Sequence, residues 1–274
     1  MFDKNTDRQA LLIDLDGVIY QGAELVDGAI EALDWIKQHR IPYLFVTNTT
    51  SRPRAALLEK FQVLGFSAQL DEVMTPVIAA AQWLEDHRKR SVALFVPPAT
   101  QQDFVNVDAV ALDQNRAVDA VVVGDLGETW DFQLLNRAFQ FLMQDPQPRL
   151  IALGMTRYWR GKNGLQLDVA PFIKALEHAA SCEAVVVGKP ACAFFEASLA
   201  RLQAGAEQAL MIGDDIVGDV DAAQRCGIKG ILVKTGKFRA SDLDGAITPF
   251  ALLDSIAALP GWWESTRTGG SKTT

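Results

Sequence analysis

Short apolar runs alternate with longer amphipathic segments almost from one end of this 274-residue sequence to the other. That alternation is the pattern of a parallel sheet covered by helices. Strands buried on both faces read as short continuous apolar runs rather than as alternating ones. Residues 10–13, 41–46, 184–187, 209–212 and 230–233 have this character. Helical patterns fill the gaps. One runs from Asp27, read as its cap, through Ile30, Leu33 and Ile36; another follows Pro53, suited to a first helical position, and stops at Gly65. The fold class is α/β.

Between Thr47 and Lys189 the chain is far longer than a crossover helix and one strand require. A second α/β domain is expected there, with strands at 92–96, 120–123 and 150–153 and helices near 76–87, 131–143 and 171–180. The expected division is a discontinuous domain of residues 1–79 and 184–274, interrupted by an inserted domain of 80–183. The polar tail 264–274 is expected to lie outside the fold.

Composition removes several function classes. With 49% hydrophobic and 22% charged residues, the chain is neither disordered nor fibrous. A formal net charge of −8 argues against nucleic acid or an anionic membrane as partner. No uncharged apolar run approaches the roughly 18 residues of a membrane span. The amino terminus, with Asp3, Lys4, Asp7 and Arg8, lacks a signal-peptide profile, so a cytoplasmic location is expected. Cys182, Cys192 and Cys226 share no CxxC spacing and read as plain thiols rather than a zinc site.

In an open parallel sheet, ligands bind at the carboxyl ends of the strands, so the polar residues that follow each apolar run are where chemistry is sought. The first run delivers Asp14 and Asp16. Two carboxylates at that spacing would face opposite ways on a continuing strand, but Gly17 lets the chain turn so that both can approach one substrate. Asp14 is then suited to be a nucleophile and Asp16 to give a proton to a leaving oxygen and take one from water. Alone, the pair reads equally as solvated turn aspartates. The second run opens into FVTNTTSR, whose hydroxyls, amide and backbone donors before a helix suit a phosphoryl group, or simply cap that helix. Lys189, in GKP, is a phosphate-binding charge or a surface one. Finally, MIGDDIVGDVDAAQRCG crowds Asp214, Asp215, Asp219 and Asp221 together, a mutual repulsion that a cation or a helix start must absorb. Oxygen-only donors at a phosphate site point to Mg²⁺ rather than zinc.

These four segments, in this order, resemble the four motifs of the haloacid dehalogenase superfamily of aspartate-nucleophile phosphatases. The short spacing from Asp16 to Asp27 and the long insertion before Lys189 resemble its subfamily IIA, with the cap at the second position. The resemblance implies a Rossmann-like doubly wound core with an inserted α/β cap. It further implies that Asp14 forms an aspartyl-phosphate while Asp16 acts as acid and then base. Mg²⁺ would be held by the Asp14 carboxylate, the Asp16 backbone carbonyl and Asp214, with Asp219, and more weakly Asp215, ordering the groups around it. Thr47, Asn48 and Lys189 would bind phosphoryl oxygens. DDIVGDVDAAQRCG, VGKP followed by Phe194 and Phe195, and VKTGKF resemble a branch whose substrates include pyrophosphate and phosphorus–nitrogen bonds.

Within the insertion, GMTRYWRGKNG carries Arg157, Tyr158, Trp159, Arg160 and Lys162, which suit an anionic or ring-bearing leaving group or else an exposed hairpin with snorkelling arginines. The expected activity is Mg²⁺-dependent hydrolysis of a small phosphorylated substrate, and apolar cap surface is compatible with a homodimer. A carbon–halogen hydrolase is disfavoured because halide departs without the proton Asp16 would give. A phosphate-responsive regulatory module without turnover is the non-enzymatic alternative.

Overall fold

The computed structural model describes residues 9–161 and 164–268, and the chain divides into two compact units. The first takes in Met1–Thr47, Leu58–Met74 and Ser198–Thr274; the second takes in Asn48–Leu57 and Thr75–Ala197.

The first unit is built on a six-stranded parallel sheet. Read across, its strands are Ala251–Leu253, Lys229–Val233, Ala209–Gly213, Ala10–Asp14, Tyr43–Val46 and Val73–Met74. Ile13 lies opposite Ile212 on one side and Phe45 on the other. From Ala10–Asp14 the chain first moves outward through Tyr43–Val46 and Val73–Met74. It later returns to the other side at Ala209–Gly213 and continues outward from there. The reversal between Ala10–Asp14 and Ala209–Gly213 is where such sheets leave a crevice at their carboxyl edge.

Leu11, Leu12, Ile13, Leu210, Met211 and Ile212 are fully buried, which is why these strands read as unbroken apolar runs. Each such side chain contributes about 1.5–3 kcal/mol relative to its exposed state. Phe61 stacks on Phe66 at 4.7 Å, and both contact Phe45, at 5.6 and 6.0 Å. The helix Ala29–Gln38 turns Ala29, Ala32, Leu33 and Ile36 inward, one face at helical spacing. Its cap is Gly28 rather than Asp27. Gly28 sits at φ +76°, no side chain caps the helix, and a Cβ at Gly28 would lie 2.6 Å from that of Ala257. The close approach selects glycine. The helix Leu259–Thr268 includes residues 264–268, which the polar sequence placed outside the fold. Buried Leu259 and Trp263 anchor it, with Trp263 set edge-on to Trp35 at 6.0 Å, so the polar turn is carried along.

The second unit holds a five-stranded parallel sheet in the order Val185–Val186, Arg149–Ala152, Ala120–Val123, Ser91–Phe95 and Asp108–Val110. The run at 184–187, grouped in the sequence with the buried strands, is a half-buried edge of this sheet, paired with Arg149–Ala152. Helices Pro76–Asp86, Phe132–Leu142 and Val169–Ala180 begin at Thr75, Asp131 and Asp168, whose side chains accept from the backbone N–H of Ile78, Leu134 and Val169. Phe95, Val121, Phe141, Ile173 and Leu176 form the core between sheet and helices. A two-stranded antiparallel hairpin, Tyr158–Gly161 with Gly164–Leu167, completes the unit.

Cys182 is half-buried and free. No helix among the described residues is long and apolar enough to cross a membrane.

Candidate active site

Asp14 ends the strand Ala10–Asp14 and is buried. Asp16 lies two residues on, exposed, in a tight turn where the N–H groups of Val18, Ile19 and Tyr20 converge on the carbonyl of Leu15 and Gly17 donates to the Tyr20 carbonyl. Gly17, at φ +90°, makes that turn. Thr47 follows Tyr43–Val46, and its N–H donates to the Met74 carbonyl at 3.1 Å.

Asp214 immediately follows Ala209–Gly213, across the sheet reversal from Asp14. It is 1% exposed. One carboxylate oxygen, Oδ2, accepts from the Lys237 N–H at 2.7 Å, while Oδ1 is buried with no hydrogen-bond partner among the described residues. Asp215 caps the wide helical turn Ile216–Asp221, its Oδ1 accepting from Val217 and Gly218 at 3.1 and 2.8 Å. That turn brings Asp219 back beneath the strand end, where its Oδ2 accepts from the Asp215 N–H. A Cβ on Gly213 would sit 2.3 Å from that of Asp219, so the fold-back requires glycine. Oxygens of Asp14, Asp214 and Asp219, all buried, lie within 4.8 Å of one another.

The electrostatics agree. Burial pushes the Asp214 carboxyl up to about 6, the Lys237 N–H pulls against that, and the nearby Asp219 adds to the rise. Burial also works against the Lys237 ammonium, yet Asp215, Asp214, Asp219 and Asp14 together raise it above its ordinary value. Asp215 moves the other way. Burial would lift it, but the Gly218 N–H and the Lys237 charge hold it below the usual carboxylate range. An all-oxygen donor set with one buried oxygen lacking a partner is suited to a hard divalent cation such as Mg²⁺.

Two expected site residues belong to the second unit, where they hold each other. Asn48 Nδ2 donates to the Lys189 carbonyl at 2.9 Å, and the Lys189 N–H donates to Asn48 Oδ1 at 2.9 Å. Lys189 itself is buried. Of the basic and aromatic residues singled out in the insertion, Arg157 and Tyr158 are exposed and adjacent, the guanidinium 5.7 Å from the ring centre. Arg160 belongs to the hairpin strand, but its side chain, and all of Lys162, fall outside the described residues. Thr235, Gly236 and Lys237 received no role from the sequence, although VKTGKF carries them. A glycine flanked by polar residues just past a strand was the available signal.

Residues 11–109 match the family described as haloacid dehalogenase-like hydrolase, and 186–259 match a second, HAD-hydrolase-like family. The chain belongs to the haloacid dehalogenase-like hydrolases, and so to a class of hydrolytic enzymes. Among its relatives, the human phospholysine phosphohistidine inorganic pyrophosphate phosphatase is 41% identical over 238 residues, 85% of this chain and 86% of that protein. A rat protein named haloacid dehalogenase-like hydrolase domain-containing protein 2 is 41% identical over 234 residues, 85% of this chain and 87% of its own. The fold is that of p-nitrophenyl phosphatase from Archaeoglobus fulgidus, with TM-score 0.83, 24% identity and coverage of 93% of this chain and 99% of that one. NagD from E. coli K-12 shares it, with TM-score 0.81 and 24% identity over 91% and 97% of the two chains.

Proposed function

We propose that this chain is an Mg²⁺-dependent phosphatase that works through an aspartyl-phosphate on Asp14, with pyrophosphate and phosphorus–nitrogen compounds among its substrates. The observation that carries this reading is the buried triad of Asp14, Asp214 and Asp219 at the sheet reversal, with Asp214 Oδ1 left without a partner among the described residues. Burying three carboxylates so close together is costly unless a cation balances them.

In the proposed reaction an Asp14 oxygen attacks phosphorus in line. The bond from phosphorus to the leaving atom breaks, and Asp16 gives that atom its proton. Asp16 then takes a proton from water, which attacks the aspartyl-phosphate, frees phosphate and restores the Asp14 carboxylate. Exposure suits Asp16 to this exchange, because the leaving group and the attacking water must both reach it. The Asp14 carboxylate, the Asp16 backbone carbonyl and Asp214 would hold Mg²⁺, which supplies positive charge against the phosphoryl oxygens. Thr47, Asn48 and Lys189 would bind those oxygens, and Asp219 and Asp215 would order the groups around the cation. The inserted domain would act as a cap, with Arg157 and Tyr158, and with Arg160 and Lys162 beyond the described side chains, contacting the leaving group.

The substrate class rests on the name of the human relative, 41% identical across most of both chains. Phosphate release from pyrophosphate, phosphoramidate and p-nitrophenyl phosphate, with and without Mg²⁺, tests it. The expected outcome is turnover only with Mg²⁺, and loss of at least about 10³-fold in Asp14→Asn, because an amide is a far poorer nucleophile. Equal release by that variant would remove the nucleophile assignment.

A further inference from the structure

The VKTGKF segment, so far without a role, lies against both acidic elements of the site. After the strand Lys229–Val233 the chain turns through Thr235, Gly236 and Lys237, with Gly236 at φ +62°. The Thr235 hydroxyl donates to the carbonyl of Gly17, the residue directly after Asp16. The Lys237 N–H donates to Asp214 Oδ2. A Cβ placed on Gly17 would lie 1.9 Å from that oxygen, and one on Gly236 would lie 2.0 Å from it and 2.6 Å from the Gly17 Cα. Two glycine backbones therefore close around a single carboxylate oxygen, in a space that only hydrogen can occupy.

We infer that the Thr235–Gly236–Lys237 turn is a positioning clasp: it pins Asp214 by Oδ2, presents Oδ1 to the cation, and ties that carboxylate to the Asp14–Gly17 segment through Thr235. The division of labour within Asp214 follows from the contacts. Oδ2 is occupied by the Lys237 N–H and walled by the two glycines, which fixes the carboxylate plane, while Oδ1 is buried and has no partner among the described residues. Lys237 contributes through its backbone; its ammonium reaches outward to Asp215 Oδ2 at 3.4 Å. Thr235 is thus the clasp's one side chain whose removal breaks a link between the two acidic elements without touching an acid. Groups that orient ligands in this way govern metal affinity even though they never touch the metal. The Gly17 carbonyl belongs to a buried residue, so deleting its donor leaves it unsatisfied.

The inference rests on the Mg²⁺ reading above and is tested by Mg²⁺ binding alone, with no substrate present. The rise in melting temperature of the full chain with Mg²⁺ concentration yields an apparent dissociation constant. Thr235→Val, which keeps the shape and removes the hydroxyl, should weaken Mg²⁺ binding by about 10-fold or more, whereas Thr235→Ser should stay within about 2-fold of the unaltered chain. Melting in EDTA reports any purely structural loss. Lower stability in EDTA with unchanged Mg²⁺ affinity would overturn the clasp, as would equal weakening in the Val and Ser variants. If Thr235→Val does not fold, Thr235→Ala against Thr235→Ser gives the same comparison. Failure of the unaltered chain to respond to Mg²⁺ would overturn the metal reading itself, and the clasp with it.

Discussion

Asn48 and Lys189 are joined by a reciprocal pair of hydrogen bonds, side-chain amide to backbone carbonyl and backbone N–H to side-chain oxygen, each 2.9 Å long. The carboxamide sets a donor and an acceptor side by side, and here they meet the carbonyl and the N–H on either side of the Lys189 Cα. Asn48→Asp keeps the acceptor but turns the donor into a second acceptor facing the Lys189 carbonyl. It should cost about 1–2 kcal/mol, and thermal melting should show it as a fall of roughly 2–6 °C. Because the pair fixes the backbone on both sides of Lys189, the Michaelis constant should rise more than the turnover number falls. An unchanged melting temperature and Michaelis constant would mean that the pair positions nothing.

Asp16 has two proposed roles, in different half-reactions, which the choice of leaving group separates. With an alkyl phosphate, Asp16→Asn should slow turnover by roughly 10² to 10⁴-fold, since the departing alkoxide needs a proton. A nitrophenolate needs little help. Formation of the phosphoprotein should then outlast its hydrolysis, so intact-mass analysis after rapid quench should find phosphate on the protein. Equal loss on both substrates with no phosphoprotein would leave Asp16 only its backbone.

Burial raises the Asp214 carboxyl to about 6 from an ordinary value of 3.8. A folded-state value above the unfolded one means that the group favours the folded state most fully below about 4. That contribution is lost as pH climbs through about 6. Between those values, in EDTA, the stability of the unaltered chain relative to Asp214→Asn should therefore fall with rising pH. Mg²⁺ should reverse the trend by favouring the ionised form. Parallel melting curves for the two proteins from pH 4 to about 7 would show that Asp214 does not titrate there.

Arg157 and Tyr158 are exposed beside one another on the second unit, away from the acidic triad in sequence. Arg157→Ala should change the ratio of rates between pyrophosphate and p-nitrophenyl phosphate by several-fold, about 1 kcal/mol of selective contact. A uniform slowing on both substrates would make the segment structural.

What the sequence disclosed and what it withheld divide along a physical line. Strands such as Ala10–Asp14 and Ala209–Gly213 were legible because burial on both faces demands an unbroken apolar run, and the acids behind them because few folds crowd carboxylates at strand ends. The edge strand Val185–Val186 was assigned by hydrophobicity alone, which cannot say which sheet an apolar run joins. Gly28 displaced Asp27 as a helix cap because Ala257, remote in sequence, approaches too closely for a side chain. The clasp was illegible for the same reason. Thr235 and Gly17 acquire meaning only when the sheet brings their loops together, whereas an exposed hairpin in the insertion was one of two readings that local composition allowed.

The pairing of Ala10 with Ala209 has a consequence for how the enzyme comes into being. The strand that bears Asp14 leaves the ribosome well before its neighbour on the Asp214 side, which is made only after the whole second unit. Until then its inner edge is an unpaired, wholly apolar template, open to wrong partners. Long-range parallel pairing is also slow to form. Nascent chains halted before residue 209 should thus be inert and dependent on chaperones, and activity should arise abruptly when the returning strand closes the sheet.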